Sequence, residues 1–136
     1  MADRFELTSE FQVGNREIDT DHQRLVDEIG SLRAVLSDGV RSARVYGGRF
    51  AAFIEMVREH FQREESLLFE CGFPAAREHA DFHGLLLAEL KEMQAEFAKE
   101  VLSLDAERFY HRMLALLVHD FVRKDLEFKS FLQETA

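Results

Sequence analysis

Four stretches of this chain repeat apolar residues every third or fourth position, the spacing that lines one face of an α-helix. The first runs from about Asp19 to Leu36 along His22, Leu25, Ile29, Leu32 and Leu36. Asp19 or Thr20 is placed to cap it, and Ser37, Asp38 and Gly39 end it. The second, about Ser42 to Glu70, follows Phe50, Phe53, Val57, His60, Glu64, Leu67 and Cys71. A turn at Cys71-Gly72-Phe73-Pro74 leads to the third, with Pro74 suited to its first position. This helix runs to about Glu100 along His79, His83, Leu86, Leu90, Met93, Phe97 and Val101. The fourth starts near Ser103 or Asp105 and reaches about Leu132 along Leu114, Leu117, Phe121, Asp125, Phe128 and Leu132. Residues 1–17 lack this period; Phe5, Leu7, Phe11 and Val13, ending at Gly14, predict an extended arm packed across the helices.

Four amphipathic helices with short connections predict an all-α fold, an antiparallel up-down-up-down four-helix bundle with an extended N-terminal arm. No repeat, linker or low-complexity segment divides the chain. Residues 1–136 are therefore expected to be a single domain, with the arm over 1–17 and the bundle over 18–136. Composition agrees: 46% apolar residues suffice for one sizeable core, and one Pro with 7 Gly favours long helices over many turns.

Charge narrows the function. A net charge of −9 argues against phosphate neutralisation of a nucleic acid and against an anionic membrane surface. The start, MADRFELTSE, lacks the basic-then-apolar pattern of a signal peptide, and no apolar run approaches membrane-spanning length. Cys71 is the only cysteine, which rules out an internal disulfide and fits a cytoplasmic location; its plain role is a small filler near a helix end.

The polar residues on the apolar lines carry the chemistry. His60 and Glu64 are four residues apart, as are His79 and His83, so each pair projects from one helix face. The break at Gly72 and Pro74 lets the two faces meet. Glu64 and Asp125 are carboxylates on apolar seams, costly there unless paired or bound to a metal. One inward histidine is ordinarily a satisfied core residue. Four of them with two carboxylates, on seams of four helices, point to a metal site in the bundle core. Mixed imidazole and carboxylate donors suit iron, manganese or zinc. Six donors exceed one tetrahedral zinc, whereas two metals bridged by Glu64 and Asp125 account for the number.

The segments VGNREIDTDHQRL around His22, HFQREESLLFECGFP around His60 and Glu64, and Pro74 to His79 and His83 resemble the hemerythrins, most closely the bacterial ones. The resemblance covers nearly the whole chain. It implies a four-helix bundle with a non-heme di-iron centre that binds O₂ reversibly. On this likeness His22 and His60 ligate the iron with the open position, His79 and His83 ligate the other, and Glu64 and Asp125 bridge the two.

The fourth helix departs from the family pattern, which carries a histidine five residues before the bridging aspartate. Here that position is Asp120, and a histidine stands next door at His119. Either Asp120 replaces the ligand or His119 supplies it. At about 100° per residue, Asp120 lies to one side of the inward direction and His119 points nearly opposite. Bringing His119 inward requires an added residue's worth of rotation, such as a π-bulge. Read without a metal, His119 is a solvent-exposed residue and Asp120 a half-exposed acid paired with Lys124. Lys124 either lays its stem along the bundle or compensates an extra carboxylate. The family's tryptophans are absent; Leu7 and Leu116 stand in their places, and the gas pocket is expected to be roomier and more open to water. His111, about two turns away from the centre, reads as surface.

These readings lead to an O₂ carrier, store or sensor, with O₂ or another small diatomic as its partner. A carboxylate in place of an imidazole shifts the expectation toward a di-iron peroxidase or oxidase. A third possibility is a sensory or interaction bundle in which the metal is structural or lost.

Overall fold

In the computed structural model the described residues are 5–37, 43–99 and 105–135, without the side chains of residues 43, 44, 120, 121 and 133–135. They form a four-helix bundle: α1 is Arg16–Ser37, α2 Ala43–Glu70, α3 Ala76–Lys99, and the fourth rod begins with α4, Ala106–Ala115. The fourth rod continues through a π-helical stretch, Leu116–Val122, then α5, Arg123–Asp125, a 3-10 turn, Leu126–Phe128, and α6, Lys129–Thr135. The contacts fix an antiparallel arrangement. His22 near the start of α1, His60 late in α2, His79 early in α3 and Asp125 late in the fourth rod meet at one level. Tyr46, Phe97 and Phe109, from the opposite ends of their helices, meet at the other.

The helix ends follow local chemistry. α1 starts three residues before Asp19, because Asn15 caps it by accepting the Ile18 N–H at 3.1 Å. Asp19 instead reaches back and accepts the N–H groups of Val13 and Gly14. Gly14 has a φ of 87°, a left-handed turn that glycine makes without a Cβ clash. α2 ends in a Schellman motif: Gly72 has a φ of 74°, its N–H donates to the Phe69 carbonyl, and the Phe73 N–H donates to Leu68. Pro74 falls in this turn, and α3 begins two residues later, at Ala76. Asp105 caps α4 through the N–H groups of Glu107 and Arg108.

The arm is not uniformly extended, since Ser9–Phe11 form a 3-10 turn. Gln23 ties residues 5–7 to α1, accepting the Leu7 N–H at 2.9 Å and donating to the Phe5 carbonyl at 2.8 Å. Residues 1–4 lie outside the described residues, as do Ser42, Glu100, Val101 and Ser103 among the expected helix boundaries and lines.

The fourth rod keeps its expected face at Leu117, Asp125 and Phe128, all buried, and departs from it elsewhere. Leu114 is half-buried, whereas Leu116, Leu117, Val118 and Val122 are all buried. A π turn explains this: the Arg123 N–H donates to the Val118 carbonyl five residues back, so one extra residue fits into the turn and the inward face rotates. The same widening buries three consecutive residues, Leu116 to Val118, which an α-helix rarely does.

The apolar core has two parts. The larger runs from Leu25 and Phe61 to Tyr46, Phe97 and Phe109. The smaller, Val13, Ile18, Leu68, Ala76 and Phe128, closes the other end beside the α2–α3 turn. A buried polar layer lies between them, with the Phe61 ring against His83 and the Phe128 ring against His79.

Candidate metal centre

That polar layer consists of His22, His60, Glu64, His79, His83 and Asp125, none more than 3% exposed. Regular α-helix places most of it. His60 and Glu64 project one turn apart from α2, and His79 and His83 one turn apart from the start of α3. Among the described residues two potential metal-holding groups emerge: His22, His60, Glu64 and Asp125, and His79, His83, Glu64 and Asp125.

The two carboxylates are divided oxygen by oxygen. Glu64 Oε2 lies 3.0 Å from His60 Nε2, and Asp125 Oδ2 lies 2.7 Å from His22 Nε2. Glu64 Oε1 lies 2.6 Å from His79 Nε2 and 3.1 Å from His83 Nε2, and Asp125 Oδ1 lies 2.8 Å from His79 Nε2. Each carboxylate thus turns one oxygen to each histidine pair, as a bridge between two cations would.

The donor set fits metal. Four imidazoles and two carboxylates occupy a water-excluded layer, and an uncompensated buried carboxylate is strongly disfavoured. His60 Nε2 and Glu64 Oε2, though close, find no hydrogen-bond partner among the described residues. Both belong to the group whose ligand atoms all lie within 4.8 Å of one another, close enough to share one ion. The titration behaviour says the same. Burial alone would lower the pKa of His60, but Asp125, Asp21 and Glu64 hold it well above its usual value. His79, likewise opposed by burial, is raised to about 9 by Asp125 and Glu64. Burial would raise Asp125, yet His22, His60, His79 and Glu64 bring it well below the usual carboxylate range. Without a metal, protons on the imidazoles supply the positive charge that the carboxylates require.

The outer nitrogens show what the sequence pattern did not reveal. The His60 Nδ1–H donates to Asp21 Oδ2 at 3.0 Å, and Arg63 holds the same oxygen at 2.9 and 2.8 Å. Burial would raise the pKa of Asp21, but His60 and Arg63 bring it below the usual carboxylate value. The His83 Nδ1–H donates to Glu65 Oε2 at 3.1 Å. Glu65 keeps 30% of its side chain exposed while making this bond. Asp21 had a visible signal: it falls between Ile18 and Leu25 on an apolar line spaced three and four.

The π stretch does not turn His119 inward. His119 is exposed and borders a recess of about 270 Å³ with Glu89, Met93 and Arg112, and it belongs to neither metal-holding group. The side chain of Asp120 lies outside the described residues. Lys124 turns away from the centre, pairing with Glu127 at 3.1 Å and resting over the Phe82 ring. His111 is exposed, and Leu7 and Leu116 are both buried. Cys71 is partly buried and its thiol donates to the Leu68 carbonyl.

A family model described as the hemerythrin HHE cation binding domain matches residues 13–127, a span holding every residue of both groups. No curated protein gives a significant match. Among the described residues no helix is long and apolar enough to cross a membrane.

Proposed function

The chain belongs to the hemerythrin family, and on that premise we propose that it is a non-heme di-iron protein that binds O₂ reversibly, as carrier, store or sensor. The observation that carries this reading is the division of Glu64 and Asp125, one oxygen of each toward either histidine pair. In this reading His22 and His60 hold one iron, His79 and His83 the other, and Glu64 and Asp125 bridge them. Asp120 is the fourth-helix ligand in place of a histidine, because the exposed His119 is directed to a surface recess. Residues 1–136 act as a single hemerythrin-like domain.

Iron bound here supplies the coordination position and the electrons that O₂ binding requires. The chain's own residues set the conditions. Phe61 stacks 3.8 Å from the His83 ring and Phe128 meets His79 edge-on, so the imidazoles are held in fixed planes. Apolar side chains on both sides keep water from the layer, which strengthens every charge interaction within it. Asp21 and Glu65 fix which nitrogen of His60 and His83 faces inward, because each accepts the proton on the outer one.

A second reading is a di-iron peroxidase or oxidase, favoured by the outward position of His119, which leaves four imidazoles and a carboxylate-rich centre. One experiment separates the two. Iron-loaded protein is reduced without air, then exposed to O₂ while its visible spectrum is followed. A charge-transfer band that appears with O₂ and vanishes on deoxygenation supports the carrier. Conversion to a stable oxidised form that turns over peroxide with a reductant supports the enzyme. Retention of less than about one metal per chain after loading overturns both.

A further inference from the structure

The two histidine pairs are anchored unequally from outside the centre. On the His22/His60 side, Asp21 receives the His60 Nδ1–H and is itself held by Arg63 through two nitrogens, at 2.9 and 2.8 Å. Arg63 also lies 3.7 Å from Glu17 of α1, so it ties α2 back to the start of α1 across the anchor. On the His79/His83 side, Glu65 receives the His83 Nδ1–H with 30% of its side chain in solvent, and no cation pairs with it among the described residues. Asp21 is 7% exposed and His60 only 1%. A small recess of about 50 Å³, lined by Asp21, Arg24, Met56, Glu59, His60 and Arg63, lies directly outside that anchor.

We propose that Asp21 and Arg63 form a positioning pair that holds His60 toward the first metal position and closes that position to solvent. The inference rests on the di-metal reading above. Two physical effects act in the same direction. The first is orientation: an acceptor fixed at Nδ1 leaves the Nε2 lone pair free to face inward and holds the ring plane, and losing such a partner typically weakens a metal about 10- to 100-fold. Two guanidinium nitrogens on the same oxygen that accepts from His60 hold that oxygen in place with charge-assisted bonds, whereas Asp21 bonded to His60 alone can rotate about its own side chain. The second is closure. Asp21, Arg63 and His60 itself line the outer recess, where His60 is only 1% exposed, so removing the pair widens the opening through which water and chelator reach this ligand. His22, the other imidazole of this position, has no partner for its Nδ1 among the described residues. Among the outer nitrogens of the first position, the His60 Nδ1 is therefore the anchored one. The second is held by Glu65, by the Phe61 stack on His83 and by Phe128 against His79, so it has other supports.

The test uses the full chain loaded with ferrous iron without air and, in parallel, with cobalt(II), whose visible bands report the ligand field. Wild type, Asp21→Asn, Arg63→Gln, Arg63→Lys and Glu65→Gln are challenged with excess chelator, and metal release is followed per chain. In wild type two phases are expected. Asp21→Asn should speed one phase about 10- to 100-fold and alter the cobalt bands of one metal, leaving the other phase unchanged. Arg63→Gln, a change at a 40% exposed side chain that leaves the core intact, should move the same phase in the same direction by a smaller factor. Arg63→Lys, which keeps the charge, should restore most of the difference. Glu65→Gln should move only the phase that Asp21→Asn leaves unchanged. The proposal is overturned if Asp21→Asn and Arg63→Gln both release metal at wild-type rates with unaltered cobalt bands; the pair is then a helix-to-helix tie only. It is also overturned if Asp21→Asn accelerates both phases equally. A wild-type protein that retains less than about one metal per chain sinks the di-metal reading instead.

Discussion

The two ends of this bundle are built from different kinds of core. At one end Tyr46, Phe50, Phe97 and Phe109 pack ring against ring, with centroids 5.1 to 6.4 Å apart and all four nearly or fully buried. At the other, six ionisable side chains fill a layer between apolar clusters. The aromatic end is complete as the chain supplies it, because apolar burial and edge-to-face contact need no further component. The polar end balances its charge in one of two ways, with protons on imidazoles or with bound cations. Stability and metal occupancy should therefore separate along the length of the molecule.

The largest expected effect comes from the aromatic end. Phe109→Ala removes a ring that touches Tyr46, Phe50 and Phe97, and should cost about 3–5 kcal/mol. The loss should be the same with and without metal, and the metal stoichiometry of the folded protein should not change. Denaturant unfolding of both forms checks this; a loss seen only in the loaded form would contradict the separation of the two ends. Next comes Glu64→Gln, which replaces a carboxylate whose oxygens face both histidine pairs. Metal affinity should fall by more than about 100-fold, and the stability gap between loaded and metal-free protein should close. Equilibrium dialysis and paired unfolding curves measure the two quantities.

The pH dependence of the metal-free protein is a smaller effect with a definite sign. His79 has a folded pKa of about 9 against an ordinary value of 6.5. Its contribution is full below the unfolded value and is lost as pH rises through about 9. Asp125, held well below its ordinary 3.8, contributes above that value and loses its contribution as pH falls through the lowered one. Metal-free protein should thus be markedly weaker at about pH 9.5 than at about pH 6. Bound metal requires neutral imidazoles, so loading should flatten or reverse the alkaline decline. An alkaline decline of equal size in both forms would show that the imidazolium charges are not what metal replaces.

The same contrast explains what could be read from the sequence. His60 with Glu64 and His79 with His83 stand at regular four-residue spacing on uninterrupted helices, where period alone gives direction. His22 stands on the same kind of line, and Asp125 was visible because a carboxylate on an apolar seam is conspicuous wherever the register falls. Asp21 and Glu65 were harder, because each sits next to a ligand in sequence and its inward reach depends on the neighbouring helix. The fourth rod was the least legible. Leu116–Val122 reads LLVHDFV, with no Gly, Pro or Ser to mark a widened turn, so a constant 100° per residue placed Leu117, Asp125 and Phe128 inward but missed the burial of Leu116, Val118 and Val122. The π turn accompanies the burial of three successive apolar residues, Leu116 to Val118, a tertiary arrangement that local spacing does not encode. Among the helix ends, Asn15 displaced Asp19 as the cap of α1 because Asp19 had the arm's N–H groups to satisfy.

The smallest prediction tests whether the aromatic end is as complete as its ring packing implies. Tyr46 is 1% exposed, and its hydroxyl finds no partner among the described residues. Burial without a partner pushes its pKa well above the usual tyrosine value, since an ionised phenolate has nothing there to stabilise it. A buried hydroxyl that gave up its water bonds costs about 1–3 kcal/mol, while the ring around it contributes as phenylalanine would. Tyr46→Phe removes the hydroxyl and keeps every ring contact. It should raise stability by about 1 kcal/mol, a few degrees in midpoint, equally in metal-free and loaded protein. Metal content and release rates should match wild type, because Tyr46 packs among Phe50 and Phe109 at the far end from the polar layer. A destabilised variant would show that the hydroxyl has a bonding partner, and the aromatic end would then depend on a polar contact as the metal end does.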